Sequence, residues 1–400
     1  MRRLPGVVIL LLFFTLPAGA AAAGFPMNQA ERKPAQSLEA AVEKQKKALD
    51  LRELEEFICQ VDREVGSYLP ELSLSKMIDS FKKGEFSFSP QEVVSKIIKL
   101  FVFELTANLT LLGKLLIIAV VCSILINLQS AFEGGTVARL ACFVCLAALI
   151  TIALGSFNLA VKTGLGSISK MVGFMKLLLP VLLVLLTAVG GLTSTALLQP
   201  FLMVFLSVMG VFIQGVIFPL IYLTAMISIV NSISDRFKVT RIASLIRQLA
   251  KAGIGLVLTL FIGVVTVQGA AGAVIDGVTL RTAKFMTGAF VPVAGSMFAD
   301  ALDAVMGGSL LLKNAVGLTG VLVLGAIALF PVIKILAIAV IYRLAAALLQ
   351  PLGDTLVADA LEDMAGSLFL VFAAVASVAI MFFMTIAVIV GTANFTVMLR

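Results

Sequence analysis

Histidine and tryptophan are absent from this chain, and charged side chains make up only 13% of it. Without imidazole it lacks the commonest zinc ligand and the usual general base, so zinc chemistry and Ser-His or Cys-His catalysis lose their standard parts. No Walker loop, dinucleotide fingerprint, zinc motif or strict GxxxG occurs, so nucleotide-driven work would fall to a separate ATPase. The expectation is a non-enzyme without a cofactor. Cysteine is too scarce for a disulfide scaffold. Cys59 sits in a polar region, whereas Cys122, Cys142 and Cys145 sit in apolar runs. Cys142 and Cys145 form a CxxC on an expected membrane helix, where cysteine packs as a small hydrophobe.

Charge is also scarce where it counts. The last 300 residues hold only 26 charged side chains, and mean hydropathy is +1.11. Ser367 to Val390 contains no charge and exceeds the roughly 20 residues that span a hydrocarbon core. The predicted class is an all-α, polytopic membrane protein with seven or more spans. Residues 24–99 differ: 12 basic and 13 acidic residues make a near-neutral, solvated segment with no sign of nucleic-acid binding. Ahead of it, Arg2 and Arg3, an apolar stretch from Val7 to Leu16 and small residues from Ala18 to Gly24 read as a cleavable signal peptide over residues 1–23. The domain reading is therefore signal peptide, extracytoplasmic helical domain (24–99) and multi-span domain (100–400).

Within the polar domain Leu54, Phe57, Ile58, Val61, Val65 and Leu69 recur at helical spacing, and the expected cover for that face is a short helix around Ile78 and Phe81, ahead of a partner groove. Ser89-Pro90-Gln91-Glu92 is a helix start, with Ser89 as cap and Pro90 in the first turn. From there the pattern runs uninterrupted to Leu128, with an amphipathic half on the outer surface before Leu109 enters the bilayer. Further apolar regions run Ala138 to Val161, Met175 to Ala188, Leu197 to Ile233, Gly253 to Val274, Val316 to Leu348 and Ser367 to Val390. Leu197 to Ile233 and Val316 to Leu348 are too long for one straight span, and each contains Phe-Pro, at Pro219 and Pro331. Each is expected to be sharply kinked or split into two short helices. A split at Pro219 places the cluster Arg236, Lys238, Arg241, Arg247 and Lys251 in the cytoplasm, as the positive-inside bias asks.

The two Phe-Pro pairs lie 112 residues apart, and the same offset carries Pro180 onto Pro292, Arg247 onto Asp359 and Lys251 onto Asp363. This suggests a parallel internal repeat, residues 168–274 and 280–390, with basic and acidic counterparts that pair between the halves. Charges in apolar surroundings supply the candidate pathway or gate residues. Lys114 opens the first span, and Lys334 follows Pro331. Either lysine suits a pathway or simple snorkelling to an interface. Asp300 and Asp303 suit an ion route or the wet side of an interfacial helix.

Three strings carry a resemblance: FVPVAGSMFADALDAVMGGSLLLKNAVGLTG from Phe290, SISDRFKVTRIASLIRQLA from Ser232 and NLQSAFEGGTVARLA from Asn127. Together with the overall layout, they resemble the stage III sporulation protein AE family across essentially the whole mature chain. The resemblance implies a non-enzymatic, permease-like subunit of the channel between mother cell and forespore, needed for endospore formation and late forespore gene expression. It implies a multi-pass place in the mother-cell membrane around the forespore, with the N-domain in the intermembrane space. The implied partners are the other stage III proteins of the complex, including an ATPase and ring-forming subunits, and the forespore-side component; membrane lipid and further copies of the chain complete the expected partners. An autonomous secondary transporter and a purely structural scaffold are the alternatives.

Overall fold

A computed structural model describes residues 52–65, 90–131, 136–233, 239–290, 294–352 and 355–398. The signal peptide, its cleavage site, Ser89 and the region around Ile78 and Phe81 lie outside the described residues. All regular structure among them is helical: α1 (Arg52–Val65), α2 (Pro90–Ala107), α3 (Leu109–Ala131), α4 (Thr136–Ala188), α5 (Leu192–Phe212), a π-helical turn (Ile213–Ile217), α6 (Phe218–Ile233), α7 (Thr240–Phe290), α8 (Ala294–Leu349) and α9 (Thr355–Met398). Among the described residues five stretches are long and apolar enough to cross a membrane, and α2 with α3 makes a sixth as one broken span. The architecture is that of a multi-span helical membrane protein.

The helix count is lower than the apolar runs suggested. Ala138–Val161 and Met175–Ala188 belong to one 53-residue helix, α4, because the lysines between them sit on its outer face and open no loop. Conversely, the expected uninterrupted helix to Leu128 bends by about 40° at Asn108. The Asn108 amide Nδ2 donates to the Glu104 carbonyl at 2.8 Å, a local bond that competes with the helical ladder.

Neither Phe-Pro pair splits its helix. Leu192–Asn231 and Val305–Leu349 each run on as one apolar stretch. Ahead of Pro219 the chain widens into the π-turn, in which the Phe218 N–H donates to the Ile213 carbonyl, and the wider turn accommodates the proline ring. Pro331 removes the N–H that would bond the Ile327 carbonyl. That carbonyl instead accepts the Ser167 hydroxyl of α4 at 3.1 Å, so the proline is compensated from a neighbouring helix. With the split gone, the argument that placed Arg236 to Lys251 in the cytoplasm loses its basis. Arg236 and Lys238 lie outside the described residues, and Thr240 to Lys251 forms the first turns of α7.

Cross-helix contacts fix the register. α4 and α8 are antiparallel: Tyr342 bonds Ser156 and the Ala153 carbonyl, Ser167 bonds Ile327, and Leu178 packs at Gly320. α5–α6 is antiparallel to α4, through Ser169 with Gln214 and Asn158 with Tyr222. α5 and α7 form an antiparallel hairpin zipped by Phe205 and Phe261, whose ring centroids lie 3.8 Å apart. A methyl group on Gly272 would meet Ser194 Cα at 2.7 Å, so only glycine allows this approach. α8 and α9 form a second hairpin. α7 and α9 run parallel, touching at Arg247–Asp363 near one end and at Gly269–Val388 towards the other. The α4–α5 turn closes on Gly190, whose φ of +94° is open to glycine at little cost.

The apolar face of α1 packs on the bundle, while the cover expected around Ile78 and Phe81 lies outside the described residues. Leu54, Ile58 and Val61 are buried, and α1 lies against α4 and α8. Phe57 meets Phe174 with centroids 5.7 Å apart. The polar domain thus contributes a helix to the bundle wall.

Candidate functional site

Polar groups buried among apolar helices are costly unless partnered, so they mark where this bundle does more than fill space. Three such places stand out. At one end Arg247 of α7 donates Nη2 to Asp363 Oδ1 at 2.8 Å and to the Asp363 carbonyl at 3.3 Å, while its guanidinium lies over Gly366. Arg247 Nε is buried without a hydrogen-bond partner. Nearby, Arg343 and Glu362 form an exposed pair at 3.7 Å. These contacts tie α7 to α9 and α8 to α9.

Towards the other end, Asp276 of α7 is 2% exposed. Its two carboxylate oxygens accept the backbone N–H groups of Thr193 at 2.7 Å and Ser194 at 2.8 Å, in the first turn of α5. That turn leaves orphan donors and carries the positive end of the helix dipole, so the carboxylate satisfies both. Ser194 Oγ beside it is buried without a partner.

Lys313 of α8 is fully buried. Its Nζ donates to the Ile389 and Val390 carbonyls of α9 at 3.1 and 3.0 Å, and among the described residues no carboxylate is within ion-pair distance. Next to it Asn314 Nδ2 reaches Asn394 Oδ1 at 3.4 Å, and Asn314 Oδ1 is buried unpartnered.

The residues singled out from the sequence are scattered across these helices. Lys114 is exposed on α3. Lys334 is half-buried on α8, its Nζ 6.0 Å from the Phe330 ring centroid. Pro219 lies in the first turn of α6 and Pro331 inside α8. Asp300 and Asp303 belong to the first turns of α8. Lys251 and Asp359 are exposed, and Arg247 bonds Asp363, one turn beyond its 112-residue image. Asp276 is not among the residues singled out from the sequence, and it lies two residues past the Gly253–Val274 run. Its one signal is rarity, an acid with no other charge between Lys251 and Arg281. Lys313 lies ten residues past Asp303 in the sequence, and its side chain turns into the α8–α9 contact. Among the described residues no group of three or more His, Cys, Asp or Glu could hold a metal ion.

Residues 72–393 match the family model for stage III sporulation protein AE. The chain is 41% identical over 394 residues, 98% of each sequence, to the Stage III sporulation protein AE of Bacillus subtilis (strain 168). No solved structure matches it.

Proposed function

We propose, because the chain belongs to the stage III sporulation protein AE family, that it is the non-enzymatic membrane-core or gate subunit of a channel between mother cell and forespore. The observation that carries this reading is identity extending over 98% of both chains, joined to a helical bundle with charged and polar groups at its inter-helix contacts. In this reading the chain resides in the mother-cell membrane around the forespore. It works with other stage III sporulation proteins, a separate ATPase and ring-forming subunits among them, and with a forespore-side component. Its N-domain faces the intermembrane space.

The bundle also supports a parallel internal repeat, α5–α6–α7 followed by α8–α9. Each unit is an antiparallel hairpin, and α7 runs parallel to its counterpart α9. Such repeats occur in secondary transporters, which keeps an autonomous permease as the second reading. Deleting the gene in its own host separates the possibilities. The channel reading expects engulfed forespores that lack late gene expression and heat resistance, together with recovery of other stage III proteins on the tagged chain. Normal spores would sink it, and solute uptake by vesicles holding only the purified chain would favour the permease.

A further inference from the structure

α4 carries an exposed stripe whose chemistry does not suit lipid. Asn158, Lys162, Gly166 and Ser169 recur every three or four residues, Lys170 and Lys176 continue the line, and all six are exposed. Two groups of the neighbouring α5–α6 helix join them. Gln214 of the π-turn donates to Ser169 Oγ at 3.2 Å, and Tyr222 OH donates to Asn158 Oδ1 at 2.7 Å. From Asn158 to Lys176 the stripe extends about 27 Å at the helical rise, close to a hydrocarbon thickness of about 30 Å.

The other helices show at which depth it lies. Between Lys251 and Asp276 α7 has 24 uncharged residues, and between Lys313 and Lys334 α8 has 20, about 36 and 30 Å. Ser167 meets Ile327 and Leu178 meets Gly320, so Lys170 and Lys176 sit level with the uncharged part of α8. Gln214 lies on α5–α6, which has no charge from Leu192 to Ile233. At this depth α4 turns Lys170 and Lys176 outward beside the uncharged parts of α7 and α8.

On α5 and α7 the outward face is what lipid requires: Val208 is 58% exposed, Leu260 60% and Val267 69%. The bundle therefore has two unlike sides. α1 reinforces the difference, for it seats Phe57 beside Gly173 and Phe174 while carrying Arg52, Glu53, Glu55, Glu56, Asp62, Arg63 and Glu64 in 14 residues. A helix so charged is incompatible with hydrocarbon.

We infer that the α4 stripe is the wall of a water-filled path through the membrane region, whose lysines favour anionic solutes. Neither α4 nor Leu192–Ile233 contains an acidic residue; the acids of α1 border the stripe at its Gly173 end, whereas the cation Lys162 lies towards the other end. The π-turn that presents Gln214 fits this role, since such turns recur at functional sites. The inference deepens the channel reading and rests on it for the solute's route.

The test uses the full chain in membranes of sporulating cells, with its four native cysteines replaced. Single cysteines enter at Gly166, Ser169 and Lys176, and at Val208, Leu260 and Val267 as controls. Membrane-impermeant anionic and cationic thiosulfonates are the probes. Stripe positions should react roughly tenfold or more faster than controls, with the anionic probe preferred, as expected of a charge-lined cleft. Adding Lys162→Glu and Lys170→Glu should reverse that preference at Ser169→Cys. Gly166→Cys keeps the test valid if the charge reversals fail to accumulate, because nothing lies within 4 Å of a methyl group there.

Equal reactivity at stripe and controls would overturn the inference. Disulfide-linked dimers through Ser169→Cys that exclude both probes would overturn it in favour of an interface between copies, and labelling without charge preference would remove the anionic assignment. A labelled stripe whose modification leaves late forespore gene expression intact would support the wet wall and sink the channel reading instead.

Discussion

At the scale of single residues, Asp276 and Lys313 illustrate opposite uses of a buried charge. The Asp276 carboxylate holds two backbone donors of α5, and a buried donor left unpartnered costs about 1–3 kcal/mol. Asp276→Ala is therefore expected to lower the detergent-solubilised protein's melting temperature by several degrees and to speed amide exchange at Thr193 and Ser194. Asp276→Asn, which keeps one acceptor, should fall between. Unchanged exchange in the alanine variant would mean that the cap is dispensable. Lys313 bonds carbonyls that lie within a continuous helix, so an uncharged side chain of similar length should pack in its place. Lys313→Met is expected to match or exceed wild-type heat stability, whereas Lys313→Glu should fail to accumulate, because it sets a carboxylate against two carbonyls. A strongly destabilised Lys313→Met would assign the amine a structural need that packing alone does not meet.

At the scale of the element, α8 remains one helix across Pro331 because another helix supplies the missing donor. The Ser167 hydroxyl replaces the lost N–H at the Ile327 carbonyl, and restoring the N–H should make it redundant. Ser167→Ala is expected to cost about 1 kcal/mol in the presence of Pro331 and close to nothing alongside Pro331→Ala. The measurement is a double-mutant cycle on unfolding in mixed micelles. Additive single effects would show that α8 tolerates the bare carbonyl. The same logic explains why Phe330-Pro331 misled as a break signal: proline reports a missing bond, but here the helix continues through a partner 160 residues away in sequence from the freed carbonyl.

At the scale of the whole molecule, Arg247 and Asp363 join the hairpin of α5–α6–α7 to that of α8–α9. The pair is partly exposed, 23% and 29% at its side chains, so screening limits its contribution to overall stability. Its weight falls on how the halves are held. Arg247→Asp and Asp363→Arg are each expected to reduce spore yield and recovery of the chain with its complex, and the double exchange should restore both. Equal damage in all three variants would assign Arg247 to its contact with the Asp363 carbonyl and Gly366 instead. Swapping with Asp359 should not rescue, because that residue is exposed.

What the sequence determined by itself is the class of the protein. Long uncharged runs leave the bilayer as their only compatible solvent, missing imidazole removes common catalytic parts, and three long strings identify the family. Hydrophobic spacing also located the buried face of α1, and matched prolines and opposite charges raised the idea of a repeat. Tertiary structure decided what pattern alone leaves open. Ala138–Val161 and Met175–Ala188 became one helix, since lysines on an outward face do not interrupt an α-helix. Pro219 and Pro331 were absorbed by a π-turn and by Ser167, and Arg247 found Asp363 because side-chain partners depend on the axial register of packed helices as well as on sequence offset. Asp276 and Lys313 drew their meaning from the turns and carbonyls brought to them by folding. A local pattern records which faces must be covered; which helix covers them, and which face stays open to water, is set by contacts between segments far apart in the chain.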